Sequence, residues 1–577
     1  MNPTRRLELA LVALLAAYAW IAYGHALQLA FVNDDYLFLE KVRERGLWRS
    51  WLPEELIFDW YRPWSRETHY WVLNRIFGLH EPSFHVVSLL LALAVLVLYF
   101  RLARRLLGAG PAGIATGAMA SLGLWSTPVL WVAGAQDLWM LLFGLLFLHA
   151  ALAGRGRLAC LPLTLALLSK ETAAVLPAIA SAAGWVLQGR PLRAALARTA
   201  GYWAIAAAWA LAHPTLRARL GGAIPPTIEA EQRPAGPVLM LRTVLAQANL
   251  EIAFAPEGGW APVLLKGLAG GLILCALLWL AFRSAPPDSG TTHALPTPGR
   301  VVAFGGCWAA LGFAILFMPS IGWHAYYGVL GSFGIWLALG SILARHRSLA
   351  MAAILALALT REARAATPSW DWGTDWYQAR AGAILALIRE RLFRFHPKLP
   401  AHSRLYFARL PNNIGMLAGD GPALRIWYDD PSVVARYYSA YAPRAPLGPA
   451  GPDYFFRFDT VQVLVEVHAG PEPLPAAMGS DPGWQRDHEM LAALFVRAGN
   501  LAGAAAEYGK LSRAIRGRPD YALYAGAAHE AIGALAEAGA FYRIAAQAYG
   551  DSIVRARAAE LTRAARHGVP QKVRAGP

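Results

Sequence analysis

Two adjacent carboxylates follow the first long apolar run of the chain, and their type and position suit acid–base chemistry. Asp34 and Asp35 come directly after the apolar residues 7–31. A carboxylate held at such a boundary can act as a general base that takes a proton from a hydroxyl group. A polar helix end explains an acidic pair at this place equally well, so the pair alone assigns no activity.

Three basic residues are available to stabilise an anionic leaving group such as a phosphate. They are Arg62 in the segment after the acidic pair, Lys170 between two apolar runs, and Arg361 where the last apolar run ends. Charges flanked by apolar segments are costly in a bilayer and are usually functional or mutually paired. Because Glu171 follows Lys170, a neutralising Lys–Glu pair is the structural alternative to phosphate binding.

Four further residues can belong to the same site, namely Asp137, Glu171, His324 and Tyr327. His324 and Tyr327 also fit an interfacial aromatic belt. Together with the acidic pair, the two additional carboxylates offer hard oxygen ligands for a divalent cation such as Mg²⁺ or Mn²⁺. Arginine and lysine alone can hold a lipid monophosphate, so we expect no obligatory metal or other cofactor.

These residues must be positioned by membrane-spanning helices, because 56% of the 577 residues are hydrophobic and only 16% are charged. The apolar residues form long blocks, and a bilayer core requires about 20 of them per helix. We predict a polytopic α-helical membrane protein with about eleven spans, at residues 7–31, 84–99, 112–132, 138–152, 158–168, 172–187, 199–212, 261–282, 301–318, 327–344 and 348–359.

The arginines predict the orientation of these spans. They are concentrated in alternate loops, which the positive-inside rule places in the cytoplasm; the set includes the arginines at 5, 6, 101, 104, 105, 155, 157, 190, 193, 198, 283, 300, 345 and 347. The formal charge of +16 is therefore a topology signal, and we expect no nucleic-acid partner. The other loops and the C-terminal third then face outward, and the arginine-rich, alanine-rich composition indicates a bacterial cytoplasmic membrane with a periplasmic C-terminal region.

Three regions follow from this topology. Residues 1–364 form the membrane domain, in which residues 33–82 are the first periplasmic loop. Two amphipathic segments of this loop, residues 36–48 and 65–77, are suited to the membrane interface. Residues 365–483 form a small mixed α/β segment with strands predicted at 405–407, 454–458 and 461–467. Residues 484–577 are alanine-rich helices and a tail.

The C-terminal helices repeat with a fixed period. Gly499 and Gly533, and likewise Tyr508 and Tyr542, are separated by 34 positions. This period resembles the tetratricopeptide repeat, a helix–turn–helix unit that buries its apolar face by stacking. The alternative is an ordinary pair of helical hairpins.

Seven short motifs follow one another along the first part of the chain. They are Asn33-Asp34-Asp35-Tyr36, Tyr61-Arg62-Pro63, Leu73-Asn74, Phe77-Gly78-Leu79, Phe84-His85-Val86-Val87, Trp131-Val132-Ala133-Gly134-Ala135-Gln136-Asp137-Leu138 and Leu168-Ser169-Lys170-Glu171-Thr172. This ordered set resembles the GT-C glycosyltransferases, and within them the branch of protein O-mannosyltransferase relatives that carries C-terminal tetratricopeptide repeats. The resemblance covers about residues 1–190 by motif and the rest by architecture.

The resemblance implies that Asp34 is the catalytic base and Asp35 its partner, with Arg62 and Lys170 binding the donor phosphate. It also implies a polyprenyl-phosphate sugar donor, which in a bacterium is based on undecaprenyl phosphate, and inversion at the sugar. Two positions depart from the family pattern: Ala135 stands where relatives often carry arginine, and Ser88 where they often carry asparagine.

We therefore expect an enzyme that transfers a sugar from this donor to an acceptor on the periplasmic face. A protein acceptor is favoured because stacked helical pairs present peptide-binding surfaces, and a glycolipid or envelope glycan is the alternative. Other hypotheses are transfer of an oligosaccharide from a lipid pyrophosphate, a flippase for a lipid-linked substrate, and a membrane-anchored repeat scaffold.

Overall fold

The computed structural model describes residues 3–53, 56–57, 60–220, 236–284, 295–317, 323–411, 414, 419–461, 463–470 and 481–567. The chain divides into two compact units, Met1–Ala383 and Ile384–Pro577. Each unit is described by itself. The division into three regions at residues 364 and 483 stays a prediction.

The first unit is helical. Its helices are α1 Pro3–Tyr23, α2 Asp34–Ser50, α3 His69–Phe77, α4 Glu81–Leu107, α5 Ala109–Ala120, α6 Ser126–Leu130, α7 Ala135–Leu152, α8 Gly156–Leu167, α9 Leu176–Ala182, α10 Leu192–Ala212, α11 Pro214–Leu220, α12 Gly236–Ala246, α13 Trp260–Arg283, α14 Pro298–Phe313, α15 Val329–Leu343 and α16 Arg347–Ala365. Helix α17, Asp375–Phe395, begins in this unit. Short 3-10 or π turns at Gly24–Gln28, Pro63–Thr68, Glu171–Val175, Ala183–Leu187 and Ala325–Gly328 complete the elements that the site uses.

Among the described residues, five helical segments are long and apolar enough to cross a membrane. They are Arg6–Gln28, Glu81–Leu107, Val132–Leu152, Trp260–Arg283 and Ala325–Leu343. Each of them overlaps a predicted span. The chain is a multi-pass membrane protein, whereas the full count of about eleven spans stays a prediction.

The span predicted at residues 112–132 is not one continuous helix. Helix α5 ends at Ala120, and short turns lead to α6. The side chain of Asn249 bridges this break, because it accepts a hydrogen bond from the Gly123 amide at 2.6 Å and donates one to the Ser121 carbonyl at 3.0 Å. Backbone groups inside an apolar bundle need such partners, so a residue far along the chain makes the interruption possible.

The two amphipathic segments predicted in the first loop are helical. The first forms α2, which changes direction at Gly46, where φ is 67°. The second forms the Pro63–Thr68 turn and α3. Helix α2 begins at the acidic pair, and α3 carries Tyr70, whose hydroxyl donates a hydrogen bond to Asp35.

Helices α14 and α15 pack through glycines. A Cβ atom added to Gly305 would lie 2.6 Å from the Gly334 carbonyl oxygen, and one added to Gly312 would lie 2.5 Å from the Gly331 Cα. Small residues let membrane helices approach this closely, so that van der Waals packing holds them together. The Ala325–Gly328 turn directly precedes α15 in the chain, so the glycine contact lies next to this turn.

The second unit contains a four-stranded sheet of order β2-β1-β3-β4. The strands are β1 Arg404–Ala408, β2 Val434–Tyr437, β3 Asp453–Asp459 and β4 Val463–Glu466, and α18, Pro422–Tyr428, lies between β1 and β2 in the chain. Strand β1 is parallel to β2 and β3, and β3 is antiparallel to β4. Three of these strands are at the predicted places, and the short strand β2 is additional.

Five helices follow the sheet, each packed on the next. They are α19 Pro482–Arg497, α20 Leu501–Ala514, α21 Pro519–Ala531, α22 Leu535–Tyr549 and α23 Ser552–His567. Gly499 and Gly533 terminate α19 and α21 with φ of 74° and 80°, a left-handed helix end that glycine favours. The repeat period thus marks equivalent helix ends, and its assignment to the tetratricopeptide family stays a prediction.

The helix contact between α14 and α15 gives a first testable prediction. Gly305→Ala should lower the free energy of unfolding by about 1–3 kcal/mol, because its methyl group overlaps backbone atoms of α15. The neighbouring Gly306→Ala is the matched control, since a Cβ there meets nothing within 4 Å. Unfolding of the purified protein in mixed detergent micelles measures both, and equal stability of the two variants would contradict the packing described.

Candidate active site

Two hydrogen bonds fasten the first loop to the turn that carries Lys170. The Trp64 amide donates to the Leu168 carbonyl at 3.2 Å, and the Ser65 hydroxyl donates to the Ser169 carbonyl at 2.6 Å. Ser65 and Ser169 are fully buried. The loop that follows the acidic pair is therefore held against the Lys170 turn, which lies about 100 residues later in the sequence.

Asp35 is fully buried and accepts three hydrogen bonds. The donors are the Val32 amide at 2.8 Å, the Ala133 amide at 2.9 Å and the Tyr70 hydroxyl at 2.5 Å. Burial raises the pKa of Asp35 to about 7, although these donors act in the opposite direction. Asp35 thus connects the start of α2 with α3 and with the segment before α7.

Asp34 differs from its neighbour because its carboxylate is half-buried and has no hydrogen-bond partner among the residues that the structure describes. Burial raises its pKa to about 6, and the positive charges of Arg66 and Arg62 oppose that rise. A carboxylate with free lone pairs and a pKa close to neutrality is suited to accept a proton. The structure therefore separates the two acidic residues into an anchored one and a free one.

Arg62 forms a bidentate ion pair with Glu171. Its Nη2 atom lies 2.6 Å from Oε2, its Nε atom lies 3.0 Å from both carboxylate oxygens, and its Nη1 atom donates to Gln136 at 2.8 Å. His213 Nε2 lies 3.7 Å from the same carboxylate. These contacts orient the guanidinium group of Arg62 and join it to Glu171 and His213 in one polar cluster.

Lys170 pairs with Asp137 and not with its sequence neighbour. Its Nζ atom lies 2.7 and 2.6 Å from the two carboxylate oxygens of Asp137, and these residues are only 4% and 5% exposed. The ammonium group also lies 5.0 and 4.8 Å from the ring centres of Tyr326 and Tyr327, within the range of cation–π attraction.

His324 extends the site on the side of these rings. Its Nδ1 atom is 3.1 Å from the Asp371 carboxylate, and its ring centre is 4.3 Å from that of Trp372 and 5.9 Å from that of Tyr327. Sequence reasoning did not assign Asp371 to this site. The tryptophan-rich composition around residues 370–376 was the available signal, but it did not show that this segment returns to the turn before α15.

Arg361 lies in a different set of contacts from Arg62 and Lys170. It is 1% exposed, with its guanidinium nitrogens 2.5 Å from Glu362 and 2.7 Å from Asp375, and it lies 4.1 Å from the Tyr23 ring centre. These contacts fix the start of α17 against α16 and α1. Its role in binding a donor phosphate stays a prediction.

The carboxylates considered as metal ligands do not converge on one point. Asp35 is occupied by three donors, while Asp137 and Glu171 each face a cation. Within the described ranges, no group of at least three His, Cys, Asp or Glu residues has the arrangement of a metal site. The expectation of no obligatory metal or other cofactor stays a prediction.

Fold and site together define a multi-pass membrane protein with a free carboxylate and two paired cations gathered at one end of its helices. No protein-family model matches this chain, and no curated protein matches it.

Some solved structures are similar to this chain at low identity. One is ArnT from Cupriavidus metallidurans bound to undecaprenyl phosphate, with 14% identity and a TM-score of 0.40 over 78% of this chain and 93% of that one. The apo state of the same protein has 15% identity and a TM-score of 0.39 over 75% of this chain and 86% of that one. The Archaeoglobus fulgidus oligosaccharyltransferase in complex with zinc and sulfate has 13% identity and a TM-score of 0.39 over 74% of this chain and 62% of that one. A likeness of this extent assigns no activity.

The Lys170–Asp137 pair gives a second testable prediction. Lys170→Met should lower the free energy of unfolding by about 3–5 kcal/mol, because it leaves the buried Asp137 carboxylate without its cation. Adding Asp137→Leu should recover much of that loss, since both charges are then removed. Unfolding in mixed detergent micelles measures the coupling between the two substitutions.

The exposed pair of Arg101 with Glu8, with side chains 49% and 28% exposed, is the control for this cycle. The same double replacement there should show a coupling below about 1 kcal/mol. Additive losses at Lys170 and Asp137 would show that the two residues do not depend on one another.

Proposed function

We propose that this protein is a membrane glycosyltransferase that moves one sugar from a polyprenyl-phosphate monosaccharide to an acceptor hydroxyl. The reaction is placed at the periplasmic face of a bacterial cytoplasmic membrane, and the donor lipid is undecaprenyl phosphate. The observation that carries the proposal is the environment of Asp34, a half-buried carboxylate that lies within the electrostatic reach of Arg66 and Arg62.

Asp34 is assigned as the general base. It takes the proton of the acceptor hydroxyl while that oxygen attacks the anomeric carbon of the donor sugar. The bond between this carbon and the phosphate oxygen breaks at the same time, and its electron pair leaves with the polyprenyl phosphate. A single displacement of this kind inverts the anomeric configuration. Asp35 positions the segment through its three hydrogen bonds.

Arg62 and Lys170 are assigned to the phosphate. A donor phosphodiester carries one negative charge, and the departing monoester gains a second one as the bond breaks. Cations already oriented at that place stabilise the developing charge without reorganising at the moment of reaction. Glu171 and Asp137 hold the two cations in position before the donor arrives, and the phosphate then competes with these carboxylates for them. Arg361 is kept as a further candidate for phosphate binding.

A protein acceptor is the favoured partner on the acceptor side. The support is the array of five helices α19 to α23, each packed on the next, since stacked helical pairs offer extended surfaces for peptides. A glycolipid or an envelope glycan is the alternative acceptor and would not need this array.

The base assignment gives a third testable prediction. In lipid nanodiscs supplied with a panel of polyprenyl-phosphate monosaccharides, the wild-type protein should consume one donor, by transfer or by release of its sugar. Asp34→Asn should lower turnover by at least about 100-fold, because general base catalysis contributes about 10²–10⁴, while donor binding persists. Glu8→Gln is the matched control, since Glu8 is a carboxylate near the start of α1 that pairs with Arg101.

Two other outcomes would change the assignment. Turnover that is indifferent to Asp34→Asn would move the base to another carboxylate, with Asp137 and Glu171 tested next. If no monophosphate donor reacts even when envelope extract supplies the acceptor, a lipid-pyrophosphate donor replaces the monosaccharide donor in the proposal.

A fourth prediction concerns pH. The raised pKa of Asp34, about 6, means that its basic form is lost as the pH falls through 6. We expect kcat/KM to fall about tenfold per pH unit below that value. Donor affinity should stay nearly constant, since a phosphodiester does not titrate there. Measuring both between pH 5 and 8 tests this, and an acidic limb unrelated to pH 6 would contradict the assignment of Asp34.

A further inference from the structure

A cavity of about 100 Å³ lies at the opposite end of the helices from the candidate active site. It is partly open and is lined by parts of α7, α8, α9 and α10 and of the segments that connect them, including Gly184, Gln188, Arg190, Arg198, Thr199 and Tyr202. Asp137 stands near the other end of α7, which is roughly 20 Å away at 1.5 Å per residue. The cavity is therefore separate from the site around Asp34.

Small residues create this space. Gly154 and Gly156 lie at the turn between α7 and α8, and Gly184 and Ala195 lie on the facing segments. The Tyr202 hydroxyl donates to the Gly156 carbonyl at 3.5 Å. This hydrogen bond joins α10 to the start of α8 at the cavity.

The charge of the cavity is one-sided. Arg190 and Arg198 line it, and neither guanidinium group has a hydrogen-bond or ion-pair partner in the part of the chain that the structure describes. No carboxylate belongs to the lining. Glu171 is the only acidic residue in the sequence between positions 138 and 228, and it is already bonded to Arg62. The two arginines therefore lack a counter-ion from this stretch of the protein.

Exposed apolar side chains lie in the same segments as the lining residues. Trp185 follows Gly184, and Leu192, Leu196 and Trp203 belong to α10. These four side chains are 47%, 48%, 41% and 39% exposed, so in a multi-pass membrane protein they are available to lipid. A ligand that fits both features carries a negative charge at one end and hydrocarbon at the other. Basic pockets between membrane helices bind the headgroups of anionic lipids in this way.

We propose that this cavity binds the phosphate of an anionic phospholipid. Arg190 and Arg198 contact the phosphate oxygens, for which the planar guanidinium group is suited. The acyl chains lie along Trp185, Leu196 and Trp203. The bound lipid bridges α9 and α10 and thereby stabilises the helices whose far ends carry the candidate active site. The proposal does not depend on the sugar-transfer reaction.

The test uses the full-length protein, delipidated in a zwitterionic detergent. Thermal unfolding and native mass spectrometry are recorded with phosphatidylglycerol, with phosphatidylcholine and with inorganic phosphate. Phosphatidylglycerol should raise the unfolding temperature of the wild type and remain bound in the mass spectrum. The double variant Arg190→Gln/Arg198→Gln should bind it roughly 30-fold more weakly, as expected for the loss of two arginine contacts.

The matched control is Arg157→Gln/Arg193→Gln. It removes the same charge from exposed residues at the same end of the helices, but neither of them lines the cavity. It should retain the wild-type response to phosphatidylglycerol. The single variant Arg198→Gln, at an exposed position, keeps the test valid if the double variant does not fold, and it should weaken binding about fivefold.

Three results would overturn the proposal. Equal responses of wild type and cavity variants to phosphatidylglycerol would exclude the two arginines as ligands. Equal stabilisation by phosphatidylcholine would show that the negative charge is not recognised. A full response to inorganic phosphate alone would identify a site for a free anion and remove the lipid from the inference.

Discussion

A charge that leaves water must be neutralised by a partner, and this constraint organises the first unit. Lys170 is paired with Asp137, and Arg62 with Glu171. Farther along the chain, the fully buried Arg361 is paired with Asp375. Asp34 alone among the residues of the candidate site has a carboxylate without a bonded partner in the described residues. The carboxylate of Asp34 is distinct because the neighbouring cations Arg62 and Lys170 already form ion pairs with other carboxylates.

The same constraint explains why two adjacent aspartates have different surroundings. Asp35 points into the protein, where three donors from separate segments meet its oxygens. These bonds fix the backbone at the start of α2, and with it the direction of the side chain next to it. Asn33 has a positive φ of 48° at this place, an uncommon conformation for a residue other than glycine. The surrounding bonds hold the chain in that conformation.

Local sequence patterns predicted a large part of this structure, and long-range pairing was what they could not supply. Long apolar blocks located α4, α7 and α13, because each is a continuous run of residues that must be buried or face lipid. The break after α5 escaped prediction because it depends on the side chain of Asn249, more than 100 residues later. Sequence also indicated the charged residues of the site but not their partners. The adjacent Lys170 and Glu171 suggested a mutual pair, yet each bonds to a residue from another segment.

The glycine contact between α14 and α15 limits which substitutions this part of the sequence can accept. At positions 305, 312 and 334 an added Cβ meets backbone atoms, which cannot turn aside as a rotamer can, and at position 331 it meets the Phe313 ring. The adjacent Gly306 faces open space and is free to vary. The aromatic rings that cover Lys170 begin just before α15, so their placement is inherited from residues that have no side chains. The position of a site made of charged and aromatic groups thus depends on four glycines that contribute no chemistry of their own.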